Sequence, residues 1–310
     1  MTFTLSGRKI FVAGHGGMVG SALVRRLKRE QCEIVTAPRS LDLREQADTR
    51  NWFEANRPEA VLLAAARVGG IMANSLRPAE FLYDNLAISA NVIEAARQHG
   101  TIKLLFLGSS CIYPKFAPQP IAENALLTGA LEPTNEAYAV AKIAGLKLVE
   151  TYRRQYACDF ISAMPANLYG PGDNYEPEGS HVIPGLIRRM HEAKLSGASE
   201  VAIWGSGTPR REFLHVDDLA DACILLLREY SAEEHVNVGS GKDISIADLA
   251  GKIASTVGFN GQIVCDTSKP DGTPQKLMDS SRLEAMGWSP SITLEDGLPN
   301  AYADYLRVAT

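Results

Sequence analysis

Cysteine is scarce here and shows no pattern: Cys32, Cys111, Cys158, Cys223 and Cys265 are scattered, odd in number and form no CxxC pair. That excludes a disulfide framework and gives no zinc-ligand spacing, so no metal is expected. Long apolar runs are missing as well. No stretch approaches the roughly 20 residues that a membrane-spanning helix requires. The chain reaches its first apolar strand without a basic, apolar, cleavable leader. These absences predict a reducing, cytoplasmic setting and no membrane partner. A basic excess is also lacking. The 31 Lys and Arg against 36 Asp and Glu leave a formal charge of −5, which argues against a nucleic-acid partner. One anionic small ligand is still allowed, because a few local cations suffice for it. Hydrophobic residues make up 45% of the 310 positions and charged residues 22%. That composition and length suit a large α/β core with a smaller annex.

Short β-type runs alternate with helical patterns through the first two thirds of the chain. Strands are predicted at 9–14, 32–37, 60–66, 103–110 and 159–167, and helices near 18–30, 79–98 and 135–157. Continuous apolar strands alternating with helices predict a Rossmann-type, doubly wound parallel sheet in the α/β class. After Tyr169 the texture changes. GPGDNYEPEGS (170–180) reads as a long functional loop. Beyond it, helices at 182–195, 216–229 and 245–257 and strands at 201–204, 235–238 and 262–265 predict a smaller α/β lobe. Residues 1–169, with an interleaved 213–240, are expected to form the dinucleotide-binding domain. Residues 170–212 and 241–310 are expected to form the substrate lobe.

The first predicted strand runs into Gly14-His15-Gly16-Gly17-Met18-Val19-Gly20 and then a helix. Glycines at this strand-to-helix turn let the backbone approach a pyrophosphate seated on the helix N-terminus. The second strand ends in Ala37-Pro38-Arg39-Ser40, and the first acid, Asp42, comes later. An arginine there suits a 2′-phosphate, so Arg39 predicts NADP over NAD, against the plainer reading of a solvated loop charge.

Tyr138 and Lys142 stand four apart on a predicted helix and so share a face. A nearby cation is expected to lower the phenol's pKa and make Tyr138 a usable acid or base. Ser109-Ser110-Cys111 lies at the C-terminal end of the fourth strand, where open α/β sheets bind ligands. Cys111 reads as an exposed loop thiol with a chemical role. Cys32, Cys158, Cys223 and Cys265 read as buried small hydrophobes. His181 opens a helix after the long loop, whereas His99, His191, His215 and His235 read as structural and His15 as lining the cofactor turn. Arg188 with Arg189, Arg210 with Arg211, and Lys269 with Lys276 are the local basic clusters. One member of each is expected to meet phosphate, which a guanidinium binds bidentately. Trp204, in a polar setting, could stack on a ligand or simply pack.

The segments LAAARVGGI (63–71), FLGSSCIYPK (106–115), LEPTNEAYAVAKIAG (131–145), MPANLYGPGDN (164–174), SHVIP (180–184), WGSGTPRREFLHVDD (204–218) and SKPDGTPQKLMD (268–279) are long and ordered. On them the chain resembles the extended short-chain dehydrogenase/reductase superfamily and, within it, the GDP-L-fucose synthase family, over nearly its whole length. The resemblance implies NADPH-dependent 3,5-epimerisation and 4-reduction of GDP-4-keto-6-deoxy-D-mannose, with a GDP-sugar substrate and a homodimer paired through the helices near 79–98 and 135–157. It implies Cys111 as epimerisation base, His181 as acid and Tyr138 as proton donor in reduction. Lys142 would bind the nicotinamide ribose and Ser109 polarise the C4 carbonyl. The implied NADP(H) site takes in Gly14, His15, Gly16, Gly17, Met18, Val19, Gly20, Arg39, Asp42 and Leu43, then Leu107, Gly108, Ser109, Ser110 and Lys142, and finally Pro165, Ala166, Asn167, Leu168 and His181. The implied substrate contacts are Asn167, Arg189, Trp204, Arg211, Asp271 and Lys276. Gly16 departs from the pattern, because the family would place an arginine there against the 2′-phosphate. Related GDP-4-ketosugar enzymes of the colitose or deoxyheptose type would share every catalytic residue. A non-catalytic NADP-binding regulator should lack the tyrosine, lysine or cysteine, and a 4,6-dehydratase should carry an Asp-Glu pair where Ser110 and Cys111 stand.

Overall fold

The computed structural model describes residues 2–269 and 271–309. In chain order the main body comprises β1 (Lys9–Ala13), α1 (Met18–Leu27), β2 (Glu33–Val35), α2 (Gln46–Asn56), β3 (Ala60–Leu63), α3 (Ile71–Leu76), α4 (Pro78–Gln98), β4 (Lys103–Leu107), α5 (Glu136–Tyr156) and β5 (Asp159–Pro165). Then follow β6 (Asn167–Tyr169), α6 (Val182–Ser196), β7 (Glu200–Trp204), β8 (Arg210–His215), α7 (Val216–Glu229), β9 (Val236–Val238), β10 (Asp243–Ser245) and α8 (Ile246–Val257). The chain closes with β11 (Gln262–Asp266), β12 (Gln275–Lys276), α9 (Ser281–Ala285) and α10 (Leu294–Val308).

Six strands form a parallel sheet in the order β2-β1-β3-β4-β5-β9. Every residue of β3 and β4 is buried, because helices cover both faces. α1 packs with α7, and α4 packs with α2 and α5. The strand order reverses beside β1, which opens a crevice at the carboxyl ends of the strands, the usual ligand position in such sheets. The expected α/β class and doubly wound sheet are thus present.

A second apolar core gathers Tyr169, Ile187, Met190, Phe213, Leu249, Ile253 and Leu298 around β8, α6, α8 and α10. There β8 pairs with β6, β10 and β12, and β7 pairs with β11. Met278, Leu283 and Trp288, far along the chain, return to the main core.

Several boundaries differ from the periodicity. β3 ends at Leu63, three residues before the predicted end, because the 64–70 segment leaves the sheet to pass over the glycine turn. The strand predicted at 159–167 is broken. Pro165 ends β5, and Asn167–Tyr169 joins β8 in the other sheet. The strand predicted at 103–110 stops at Leu107, and Ser109 caps a 3₁₀ turn over Ser110–Ile112. The sequence periodicity does not mark α2, α3, β8, β10, β12, α9 or α10. Among the described residues no helix is long and apolar enough to cross a membrane.

Candidate active site

The glycine turn is closed behind and open in front. Gly14 has φ +85°, and a β-carbon there would lie 2.8 Å from the backbone of Ala65. A β-carbon on Gly20 would lie 2.0 Å from the Gly14 carbonyl oxygen, so α1 begins directly against the turn. At Gly16, by contrast, a β-carbon would meet nothing within 4 Å. Gly17 caps α1 without a side chain, and the first turn holds no acid. An open, positively polarised helix start of this kind fits a dinucleotide pyrophosphate. His15, Met18 and Val19 line it, half-buried. Arg39 is exposed and makes no side-chain hydrogen bond or ion pair among the described residues. Asp42 is held by Arg44 at 2.6 Å, and Arg44 reaches on to Asp84 at 3.2 Å. Leu43 is half-buried beside them. Leu107, Gly108 and Ser110 are buried at the end of β4, and Pro165 and Ala166 at the end of β5. Leu168 is half-buried, and Asn167 is tied by its Nδ2 to the Glu212 carbonyl at 2.8 Å.

Ser109, Cys111, Tyr138 and Lys142 converge where β4 meets the first turns of α5. The Ser109 hydroxyl accepts from the Cys111 N–H at 3.4 Å and lies within reach of both the Cys111 thiol and the Tyr138 phenol. Lys142 Nζ donates to the Leu107 carbonyl at 2.8 Å and stands 5.8 Å from the Tyr138 ring centroid. Phe81 of α4 meets the Tyr138 ring edge-on, centroids 6.3 Å apart.

Two expectations are corrected at this point. Cys111 is not an exposed loop thiol; it is only 6% exposed, inside the 3₁₀ turn. Burial pushes its pKa up, while Lys276, the Ser109 hydroxyl and Lys142 pull the other way. The Tyr138 pKa is not lowered either. Burial, then the charge of Cys111, pushes it well above the usual range against the opposing Ser109 hydroxyl. The cation meant to lower it is itself destabilised: burial brings Lys142 down to about 8.

His181 is the N-cap residue of α6 at the end of the long loop. It is open to solvent, yet enclosed enough that desolvation lowers its imidazole pKa.

On the lobe side, Lys276 of β12 sits in register with Arg211 of β8. Both are half-buried, and desolvation lowers both pKa values. The charge of Cys111 is the largest influence opposing that shift on Lys276, so the cation stands near the Cys111 thiol. Glu132, absent from the sequence reading, faces Arg211 and Lys276 and binds Lys115 at 3.0 Å and Thr273 at 3.3 Å. Its sequence signal is weak, because Glu132 is one of two acids, with Glu136, in the six residues before Tyr138. Asp271 accepts from the Ser206 N–H at 2.7 Å and from its hydroxyl, so it orders the Gly205–Gly207 turn. Arg189 donates to the Gly185 and Ala202 carbonyls at 3.3 and 2.5 Å, beside the 45% exposed Trp204, over which Lys269 lies 5.9 Å from the ring centroid. Arg188 and Arg210 pair with Glu192 and Asp243 at 3.1 and 2.7 Å.

Outside the site, Cys223 is buried as expected, but Cys32 and Cys158 are half-buried and Cys265 is exposed. A three-residue edge strand for Cys32, a loop start for Cys158 and a two-stranded sheet for Cys265 provide too little cover to bury them. His235 bonds the Tyr113 hydroxyl at 2.9 Å, His191 bonds Tyr302 at 2.9 Å, and His215 accepts from the Asp217 N–H at the start of α7.

Residues 10–239 match the NAD dependent epimerase/dehydratase family. The chain is 58% identical over 301 residues to GDP-L-fucose synthase 1 of Arabidopsis thaliana, covering 96% of this chain and 93% of that one. It is 52% identical over 315 residues to the GDP-L-fucose synthase of Escherichia coli strain K12, covering 98% of each. The crystal structure of a GDP-L-fucose synthetase from Naegleria fowleri bound to NADP superposes with a TM-score of 0.91 at 28% identity, over 99% of this chain and 97% of that one. With the glycine turn, the Ser109–Tyr138–Lys142 cluster and this near full-length likeness together, the chain belongs to the NAD dependent epimerase/dehydratase family and, within it, to the GDP-L-fucose synthases.

Proposed function

We infer that this protein is an enzyme that epimerises GDP-4-keto-6-deoxy-D-mannose at C3 and C5 and reduces it at C4, giving GDP-L-fucose with NADP(H) as cofactor. One observation carries the reading: the Ser109 hydroxyl lies within reach of both the Cys111 thiol and the Tyr138 phenol. The group suited to proton exchange and the group suited to protonating an alkoxide therefore face one substrate position.

C3 and C5 both neighbour the ketone, so loss of a proton gives an enolate, and reprotonation from the other face inverts the carbon. Cys111, as thiolate, takes the proton, and His181, as imidazolium, returns one from the opposite side. Lys276 and Lys142 favour the thiolate against its burial. NADPH, when bound, supplies the hydride for C4. Tyr138 gives its proton to O4, Ser109 hydrogen-bonds the same oxygen, and the Lys142 ammonium stabilises the charge left on the phenol. The cofactor's pyrophosphate would rest on the Gly14–Gly20 turn and its 2′-phosphate against Arg39. Arg189, Arg211 and Lys276 would meet the GDP diphosphate and Trp204 would offer its face, with Asp271 ordering the turn beside it.

Residues 1–169 with 213–240 would hold the cofactor, and 170–212 with 241–310 the sugar nucleotide. Tyr83, Val140 and Tyr156 expose apolar surface on α4 and α5, which supports a homodimer through those helices. Five unpaired cysteines suit a reducing, cytoplasmic compartment.

The test is incubation with GDP-4-keto-6-deoxymannose and NADPH. GDP-L-fucose is the expected product. A reduced but unepimerised sugar would remove the epimerase half of the proposal, and a different GDP-sugar preference would favour the colitose or deoxyheptose type.

A further inference from the structure

We propose that Gly70 and Asn74 are positioning residues for His181, forming a backbone seam that governs epimerisation separately from reduction. The proposal rests on the assignment of His181 as the acid of epimerisation.

Gly70 precedes α3 with φ −65° and ψ 179°, a conformation open to any residue. Glycine is not needed there to make the turn. It is needed for contact: a β-carbon on Gly70 would lie 2.5 Å from the Ser180 carbonyl oxygen. The Gly70 N–H also donates to the Gly179 carbonyl at 3.1 Å. The 64–70 segment after β3 is thus pressed, backbone to backbone, onto the last residues of the loop that delivers His181.

Both sides of the seam are braced. Asn74 is 6% exposed, and its Nδ2 donates to the Gly69 carbonyl at 2.7 Å and the Gly70 carbonyl at 3.0 Å. That clamp fixes the peptide whose N–H meets Gly179. Opposite, the Ser180 N–H donates to the Glu176 carbonyl at 3.1 Å, and a β-carbon on Gly185 would lie 2.9 Å from the Ser180 hydroxyl. Ser180 therefore has little room to yield, and one peptide bond separates it from His181. Ser109, Tyr138 and Lys142 stand on β4's end and α5 and make no hydrogen bond with the seam among the described residues; Phe81, beside Gly69 and edge-on to Tyr138, lies between them. A shift of the seam should misplace the acid of epimerisation while leaving the proton donor of reduction where it is.

The experiment uses the full-length enzyme as Gly70→Ala, Asn74→Ala and His181→Gln. Proton exchange is read as deuterium wash-in at C3 and C5 of GDP-4-keto-6-deoxymannose with NADP+ present. The C4 hydride step is read alone, as single-turnover oxidation of GDP-L-fucose by NADP+. Gly70→Ala should lose about 10²-fold in wash-in, the scale of an ångström misplacement of a reacting group, with the hydride step at its wild-type rate. Asn74→Ala should show the same split to a lesser degree, and it carries the test if Gly70→Ala does not fold. If His181→Gln exchanges normally, the assignment of the acid is wrong and the proposal falls with it. If His181→Gln loses exchange while both seam variants keep it, or lose both steps equally, the seam has no positioning role and only this inference is overturned.

Discussion

Lys142 is buried and, among the described residues, has no carboxylate partner, so desolvation pulls its ammonium down to about 8. In the proposed reduction, the charge that supports the Tyr138 phenol is therefore present below that pH and lost above it. Reduction measured as NADPH oxidation at saturating substrate should fall as pH rises through about 8. A profile flat to pH well beyond that would separate Lys142's charge from the hydride step. Tyr138→Phe removes the proton donor and should slow reduction by about 10²- to 10⁴-fold, the ordinary range of general acid–base catalysis. Lys276 acts on the other chemistry. It is the largest influence holding the Cys111 pKa down against burial. Lys276→Gln should therefore raise that pKa and move the rising limb of C3 and C5 exchange to higher pH. An unmoved limb would mean that the thiolate draws its stability elsewhere. These balances were invisible in the sequence. YxxxK spacing gives a shared helix face, but not that Lys142 Nζ binds the Leu107 carbonyl or that burial dominates at both groups.

At the scale of elements, the strand–turn–helix from β1 to α1 was legible because its glycines have distinct physical duties. Gly14 needs a positive φ, Gly20 needs contact, and Gly16 leaves an open surface. That openness bears on the missing arginine. Gly16 has free space and a φ outside the left-handed region, so Gly16→Arg should be tolerated and should widen the preference for NADPH over NADH. Arg39 is then the cation left for the 2′-phosphate, since Arg44 is already held by Asp42 and Asp84. A charge-assisted hydrogen bond contributes about 1.5–3 kcal/mol, roughly one to two orders of magnitude in affinity. Arg39→Ala should lose that much discrimination, read as the ratio of Michaelis constants for the two cofactors. Strong residual discrimination would show that the phosphate is held elsewhere. Element ends were the less legible part. An apolar run does not say where a strand leaves its sheet, so neither the stop of β3 at Leu63 nor the break at Ala166 is marked by it. β8 is unmarked too, because Arg210-Arg211-Glu212 interrupts its apolar pattern and buries Glu212, whose carboxylate accepts from the Gly241 and Met278 N–H groups at 2.7 and 3.0 Å.

At the scale of the molecule there are two apolar cores, one around the parallel sheet and one around β8, α6, α8 and α10. Ser109 and Cys111 follow the carboxyl end of β4, Tyr138 and Lys142 stand on α5, and Lys276, with Arg211 beside it, approaches Cys111 from the second sheet. Cys111 and Lys276 are 165 positions apart in the sequence, and the pairing of β12 with β8, together with the Ile121–Met278 bridge, brings Lys276 toward Cys111. Local pattern could name both residues but could not bring them together. The claim that one pocket performs two chemistries is tested most directly by a double dissociation. Deuterium wash-in at C3 and C5 and single-turnover hydride transfer at C4 are measured side by side in Cys111→Ser and Tyr138→Phe. Cys111→Ser should lose wash-in and retain hydride transfer, while Tyr138→Phe should lose hydride transfer and retain most of its wash-in. Wild-type wash-in in Cys111→Ser, or equal loss of both steps in either variant, would contradict the account.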